Sequence, residues 1–210
     1  MWRPLVPGET KPLPREFVDK YLGGGAEFVR YGVPGDGSCL FHSVCAALNY
    51  NNYLTQPVQE QAKIGHRFRC DFQKHITPDE WNSFVRREGL SAGGEGEGDV
   101  PSVDVVKRDF CNKKFWATEP MIRYVANKMN MNMIFMDVDG KQLYCGVHGK
   151  NPESQPTTLV LWLNRAHFEP MARVDFTPTS APRKTWVFDP RRDSKLVSQL
   201  MTTYSRECKI

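Results

Sequence analysis

Long apolar stretches are absent from this sequence. None of its 210 residues belong to a run of about 18 apolar residues, so no transmembrane helix is expected. The N-terminus, Met1-Trp2-Arg3-Pro4, lacks the basic and then apolar order of a secretory signal. We therefore expect a protein of the cytosol or nucleus that does not enter a membrane.

Cysteine pairs of the C-x-x-C type are also absent. The six cysteines, at positions 39, 45, 70, 111, 145 and 208, are spaced irregularly. In a reducing compartment such spacing argues against a disulfide framework. Cys145 and His148 could supply two metal ligands, but no second pair of ligand-type residues lies at a matching spacing. The sequence therefore predicts free thiols, with no metal site and no cofactor.

Most of the chain has no excess of either charge. Residues 172–210 contain 8 Lys or Arg and 4 Asp or Glu, whereas the rest of the chain contains 20 of each kind. A neutral body is not typical of a nucleic-acid-binding protein. The basic tail could contact RNA or an acidic partner, although a solvated tail also explains its charge.

Hydrophobic periodicity predicts helices first and strands later. Four prolines within residues 1–14 indicate an extended, loosely packed arm. Helical spacing begins after the turn-rich residues 34–38 and recurs in four further segments before residue 130. Continuous apolar runs at 133–136 and 157–163 are typical of strands that are covered on both faces. This order predicts an α+β fold.

Cys39 lies on the first turn of a predicted buried helix, directly after a glycine-rich bend. A nucleophilic thiol needs access to a carbonyl group, ionisation and backbone N–H groups that face the developing oxyanion. Glycines in the bend allow it to expose such N–H groups, and the positive end of the helix would favour the thiolate. A small core cysteine is the alternative interpretation.

His167 follows an apolar strand and precedes Phe168 and Glu169. A catalytic base needs a partner that orients its second ring nitrogen. Because residues i and i+2 of a strand point to the same face, Glu169 could lie beside the imidazole. Asn164 is the other candidate for this partner, and a surface histidine at a strand end is the alternative interpretation.

Three segments together resemble the ovarian-tumour (OTU) family of cysteine deubiquitinases. Asp-Gly-Ser-Cys-Leu-Phe-His-Ser at 36–43 is similar to the nucleophile motif of that family, and His167-Phe168-Glu169 to its histidine motif. Residues 115–134 look like the tryptophan-containing helix and the strand between these motifs. The resemblance covers about residues 28–172, and it departs from the common pattern at Ser38, usually Asn, and at Glu169, usually Asp or Asn.

This resemblance implies an architecture. It is an OTU-type, papain-like cysteine protease fold of the α+β class, with a small central β-sheet packed between helices. Residues 1–27 would form an N-terminal arm, residues 28–172 the OTU-like catalytic domain, and residues 173–210 a basic C-terminal extension.

The resemblance also implies a reaction and its residues. Cys39 would attack the carbonyl of the C-terminal glycine of ubiquitin or a ubiquitin-like modifier, forming a thioester, and His167 would act as base and then as acid. Glu169, or Asn164 in its place, would orient His167, and the Asp36 side chain would brace the loop. The oxyanion hole would consist of the backbone N–H groups of Asp36, Gly37, Ser38 and Cys39.

Two other functions compete with this one. The first is a non-catalytic module that binds ubiquitin or polyubiquitin with the same fold, and the second is a nucleic-acid-binding protein that acts through its basic tail. A monomer is expected in each case. We further expect that His42, Cys45, Trp116 and Trp162 belong to the core rather than to the site.

Overall fold

The computed structural model describes residues 2–88, 101–140, 142–144, 154–164, 166–177 and 180–208. Cys145 and His148, the two residues with a plausible spacing for metal ligands, lie outside the described residues. No helix in the described part of the chain combines the length and the apolar character needed to cross a membrane.

Most helices precede residue 130 and most strands follow it, as the sequence predicted. The helices are α1 (Arg15–Leu22), α2 (Cys39–Leu48), a 3-10 helix (Tyr50–Thr55), α3 (Val58–His75), α4 (Pro78–Arg87), α5 (Val103–Phe110), α6 (Glu119–Lys128) and α7 (Ser194–Cys208). The strands are β1 (Thr10–Pro12), β2 (Glu27–Tyr31), β3 (Asn132–Asp137), β4 (Gln142–Tyr144), β5 (Thr157–Leu163), β6 (His167–Thr177), β7 (Ser180–Thr185) and β8 (Val187–Phe188).

All eight described strands form one sheet in the order β1-β2-β6-β5-β3-β4, with β7 beside β6 and β8 beside β5. Strands β3 and β5 run parallel, and every other pair is antiparallel. The predicted α+β class is confirmed. The sheet is larger than expected because the N-terminal arm contributes β1 and the C-terminal segment contributes β7 and β8.

Helices cover both faces of the sheet. On β3, Met133 and Phe135 pack into a core shared with α2 to α6, whereas Ile134 and Met136 pack into a second core shared with α1 and α7. Because both faces are buried, the residues that point to one face and those that point to the other are all apolar. This double burial explains the continuous apolar run in the sequence.

The N-terminal residues are packed rather than loose. Leu5 is 6% exposed and Leu13 is 7% exposed, and β1 pairs with β2. The prolines correctly predicted extended backbone here, but the prediction of loose packing is wrong at these positions. The domain boundaries after residues 27 and 172 stay predictions, and β6 runs through the second of them without interruption.

The fold brings the two predicted motifs together through the packing of α2 on β6. Cys39 is the first residue of α2 and His167 is the first residue of β6. A tight turn between β5 and β6 pairs Leu163 with His167 across the hairpin. The helix N-terminus and the strand start therefore meet although they are far apart in the sequence.

A disulfide joins Cys70 on α3 to Cys111 just after α5. The prediction of free thiols is therefore wrong at these two positions, whereas Cys39 and Cys45 are free. The irregular spacing in the sequence concealed this pair. Contact between α3 and α5 brings the two Cα atoms within 4.4 Å of each other across 41 residues of sequence.

Candidate active site

Cys39 begins α2 with its side chain buried. Burial raises the pKa of its thiol, while hydrogen bonds from the backbone of Phe168, Leu40 and Cys39 itself lower it without reversing the shift. The predicted effect of the helix N-terminus is thus present, but loss of hydration outweighs it. The protonated thiol is the favoured form at neutral pH, contrary to the predicted thiolate.

His167 has its two ring nitrogens in different surroundings. Nε2 lies 3.7 Å from Oε1 of Glu169, and a β-carbon on Gly35 would lie 3.7 Å from Nδ1, so Nδ1 faces the loop before Cys39. The pKa of His167 is lowered to about 4, mainly by burial and to a lesser extent by the charges of His42 and Arg30. His167 and Cys39 line the same cavity of about 80 Å³.

Glu169 is fully buried beside His167. Its Oε1 accepts a hydrogen bond of 2.6 Å from the Leu5 N–H, and its Oε2 accepts one of 3.1 Å from Arg30. Burial raises the pKa of Glu169, although both of these partners act in the opposite direction. The carboxylate is therefore held in place by the N-terminal residues and by β2, next to the imidazole.

Asn164, the other predicted partner of His167, is placed differently. It has a left-handed φ of 51° in the turn before β6, and its N–H donates to Asp139. In the described part of the chain it makes no hydrogen bond to His167. Of the two predicted candidates, the structure brings only Glu169 to the imidazole.

Asp36 braces the loop before Cys39 through three contacts. Its Oδ1 accepts from the Ser38 N–H at 3.1 Å and lies 3.0 Å from His42 Nε2, and its Oδ2 accepts from Lys113 at 2.6 Å. Burial would raise the pKa of Asp36, but the hydrogen bonds from His42 and Lys113 hold it below its usual range. The Ser38 N–H, predicted as part of the oxyanion hole, is thus already donated to Asp36 in this conformation.

Gly37 fixes the shape of the same loop. Its φ of +85° is in the left-handed region, and a β-carbon there would lie 1.9 Å from the Lys113 carbonyl oxygen. Only glycine fits such a position without displacing the opposite backbone. Its carbonyl oxygen accepts a 2.6 Å hydrogen bond from Arg69.

Arg69 was not found by sequence analysis, although it connects the loop to the rest of the site. It is fully buried, and it also donates to the carbonyl oxygens of Phe110, Asp109 and Phe115. Burial lowers the pKa of its guanidinium. All four hydrogen-bond acceptors are main-chain carbonyls, so one side chain holds the Gly37 loop against the end of α5 and the segment that follows it. The sequence signal was only a basic residue at a buried position of an amphipathic helix.

Four further side chains were predicted to belong to the core. His42 is buried, as predicted, but it also contacts Asp36 and so takes part in bracing the loop. Trp116 is 57% exposed and lines the cavity, so its prediction as a core residue is wrong. Cys45 is fully buried and Trp162 half-buried.

Comparison with known proteins gives similarity in structure alone. Neither a protein-family model nor a curated protein matches the sequence. A solved ovarian-tumour (OTU) domain in complex with ubiquitin aligns with a TM-score of 0.50 at 10% identity, covering 98% of this chain and 96% of that one.

Two further solved structures align less well. The OTUD1 OTU domain gives a TM-score of 0.48 at 19% identity over 74% of this chain and 92% of that one. An OTU deubiquitinase from Wolbachia pipientis wMel bound to ubiquitin gives 0.41 at 20% identity over 69% and 94%. Of these three, only the first alignment reaches a TM-score of 0.50, and it covers nearly the whole of both chains. This chain has the fold of an OTU domain.

Proposed function

We propose that this protein is a cysteine-type deubiquitinase that hydrolyses the isopeptide bond between ubiquitin, or a ubiquitin-like modifier, and lysine. The observation that carries this proposal is the position of His167, between a cavity shared with Cys39 and the buried carboxylate of Glu169. The OTU domain that matches over nearly its whole length was solved with ubiquitin, which supports ubiquitin as the partner.

The reaction begins with a proton transfer. Because burial keeps the proton on the Cys39 sulfur and keeps His167 neutral, Nδ1 of His167 accepts the proton as Sγ attacks the carbonyl carbon of the C-terminal residue of the modifier. Glu169, 3.7 Å from Nε2, stabilises the imidazolium that forms.

The tetrahedral oxyanion then needs hydrogen-bond donors. The Ser38 N–H is donated to Asp36, which leaves the N–H groups of Asp36, Gly37 and Cys39 to face it. Collapse of the intermediate expels the lysine amine, which takes the proton from His167, and leaves a thioester on Cys39. Water, deprotonated by His167, hydrolyses the thioester and regenerates the thiol.

Trp116 offers a binding surface for the substrate. Its exposed indole lines the cavity together with Gly35, Ala117 and Phe168. A flat apolar ring beside a narrow cavity suits an extended backbone without bulky side chains. The C-terminal glycine of the modifier has this character.

A ubiquitin that carries a C-terminal propargyl group tests the proposal. We expect a covalent adduct with the wild-type protein, no adduct with Cys39→Ala, and a strongly slowed reaction with His167→Ala. Cys45→Ala is the matched control, because this buried free cysteine lies outside the cavity. An adduct that persists in Cys39→Ala would overturn the assignment of the nucleophile.

One observation favours a second candidate, a module that binds ubiquitin without cutting it. Burial raises the pKa of Cys39 and lowers that of His167, so the thiol at rest is weakly nucleophilic. The two functions are separated by measuring ubiquitin binding and di-ubiquitin cleavage on the same preparation. Binding without cleavage or adduct formation would favour the module.

A further inference from the structure

We propose that the reduced form of this protein binds a zinc ion through His66, Cys70 and Cys111. None of these three residues takes part in the proposed reaction. They form the group of histidine, cysteine and acidic side chains that, within the described residues, has the geometry for holding a metal ion.

The spacing of the three ligand atoms suits a tetrahedral zinc site. His66 and Cys70 are four residues apart on α3, so they share one face of the helix, and Cys111 follows α5. All three ligand atoms lie within 4.8 Å of one another, and Cys70 Sγ is 3.8 Å from Nε2 of His66. A sulfur and a nitrogen bound to the same tetrahedral zinc are about 3.5 Å apart, given Zn–S of about 2.3 Å and Zn–N of about 2.0 Å. Sγ is almost equally far from Nδ1, at 3.9 Å, so the imidazole has to rotate to turn one ring nitrogen towards the metal.

The two sulfurs are bonded to each other in this structure, so the proposed site requires a reductant. A dithiol breaks the Cys70–Cys111 bond by thiol–disulfide exchange, which leaves two protein thiols and the cyclic disulfide of the reductant. Zinc then binds as the two thiols release two protons to the buffer. Two thiolates on one tetrahedral zinc are about 3.8 Å apart, a separation that breaking the sulfur–sulfur bond makes possible.

The donor set selects the kind of metal. Thiolate and imidazole ligands favour zinc over magnesium or calcium, which prefer oxygen. Three protein ligands leave the fourth position to water, and all three side chains are partly exposed, so an ion can enter. Cysteines of a protein in a reducing compartment more often bind metal than form disulfides.

The proposed site adjoins the segment that supports the Cys39 loop. Cys111 follows Phe110, whose carbonyl oxygen accepts from Arg69, and Lys113 contacts Asp36. In the reduced protein, zinc would connect α3 to this segment in place of the disulfide. We therefore expect zinc to raise the melting temperature of the reduced chain.

The test measures zinc bound per chain after reduction with a phosphine, addition of zinc chloride and gel filtration. We expect about one zinc for the reduced wild-type protein and none after oxidation of the Cys70–Cys111 pair. Cys70→Ser, Cys111→Ser and His66→Ala should each lose the bound zinc, most severely at the cysteines. The matched controls are His75→Ala, an exposed histidine on the same helix, and Cys45→Ala.

Cobalt(II) supplies a second measurement that does not depend on enzymatic activity. Substitution by cobalt should produce absorption bands of thiolate-to-metal charge transfer in the wild type, reduced in either cysteine variant. Absence of bound zinc in the reduced wild type would overturn the proposal, as would zinc that persists in both cysteine variants. Equal binding by the oxidised protein would also overturn it. A failure of the ubiquitin reaction would leave the zinc result unaffected.

Discussion

At the scale of single residues, the burial of His167 determines the pH at which the candidate site changes its protonation. Its pKa falls to about 4, mainly because the ring is removed from water. An imidazole with this pKa is neutral, and so able to accept a proton, across the whole range from weakly acidic to neutral pH. The ordinary value of 6.5 would instead leave much of it protonated at pH 6.

We predict that kcat/KM for hydrolysis of a fluorogenic ubiquitin substrate falls only as the pH drops through about 4. The pKa of His167 is lower in the folded protein than the unfolded value of 6.5, so the unfolded chain takes up a proton first as the pH falls. The free energy of unfolding is therefore at its full value above 6.5, and the contribution of His167 is lost as the pH falls through about 4. Unfolding followed at each pH separates the two effects. An acid limb near 6.5 in a protein that stays folded would contradict the burial of His167.

Arg69→Lys tests whether the carbonyl contacts of Arg69 position the oxyanion loop. A lysine ammonium cannot reach four carbonyls from the same place, so the Gly37 loop should loosen. We predict that kcat for ubiquitin hydrolysis decreases about tenfold or more, with little change in KM. Alkylation of Cys39 by iodoacetamide forms no oxyanion, so its rate should be unchanged.

The matched control for this prediction is Arg67→Lys on the exposed side of the same helix, which should leave kcat unchanged. A parallel loss of hydrolysis and alkylation in Arg69→Lys would mean that Arg69 only maintains the fold. Arg69→Gln, which removes the charge but retains a donor, checks whether the charge or the geometry matters.

At the scale of elements, the N-terminal arm is part of the structure behind the site. Leu5 is buried and its N–H binds Glu169, whereas the neighbouring Val6 is 70% exposed. The backbone of Gly32 leaves no room for a β-carbon, because the Val6 carbonyl oxygen would lie 2.2 Å from it. The arm is therefore packed tightly against the end of β2.

We predict that Leu5→Ala lowers the free energy of unfolding by about 2–3 kcal/mol, while Val6→Ala changes it by less than about 0.5 kcal/mol. Urea denaturation measures both variants. The backbone N–H that binds Glu169 is retained in each, so the comparison isolates the buried side chain. Small and equal effects would mean that the arm is loosely packed, as its prolines suggested.

At the scale of the whole molecule, the C-terminal segment completes the second core. Phe188 and Leu200 are fully buried, and they pack with residues of α1, β3, β5 and β6. The segment also supplies β7 and β8 to the sheet. Most of its described basic side chains are exposed, among them Arg183, Lys184, Arg191, Arg192 and Lys195.

We predict that a chain ending at residue 172 does not fold cooperatively, because it loses part of β6 and exposes the apolar face covered by α7. Circular dichroism and gel filtration measure this, with a chain ending at residue 208 as control. A truncated chain that is folded and still reacts with propargyl ubiquitin would show that residues 173–210 are an extension of an independent domain.

Local patterns in the sequence were enough to predict where the site residues lie within their own helix or strand. The glycine-rich bend before a helical stripe predicted Cys39 at a helix start, and the end of an apolar run predicted His167 at a strand end. The i, i+2 rule for strands put Glu169 on the side of His167, and the structure places its carboxylate there. The order of helices and strands predicted the α+β class.

Only the tertiary structure decided which groups contact those residues and which protonation state they favour. Long-range packing brings Leu5, Arg30 and Lys113 to the site and joins Cys70 to Cys111, and no local pattern encodes such contacts. The protonation of Cys39 was decided in the same way. A helix N-terminus is visible in the sequence, but the loss of hydration that outweighs it depends on every element packed around the sulfur.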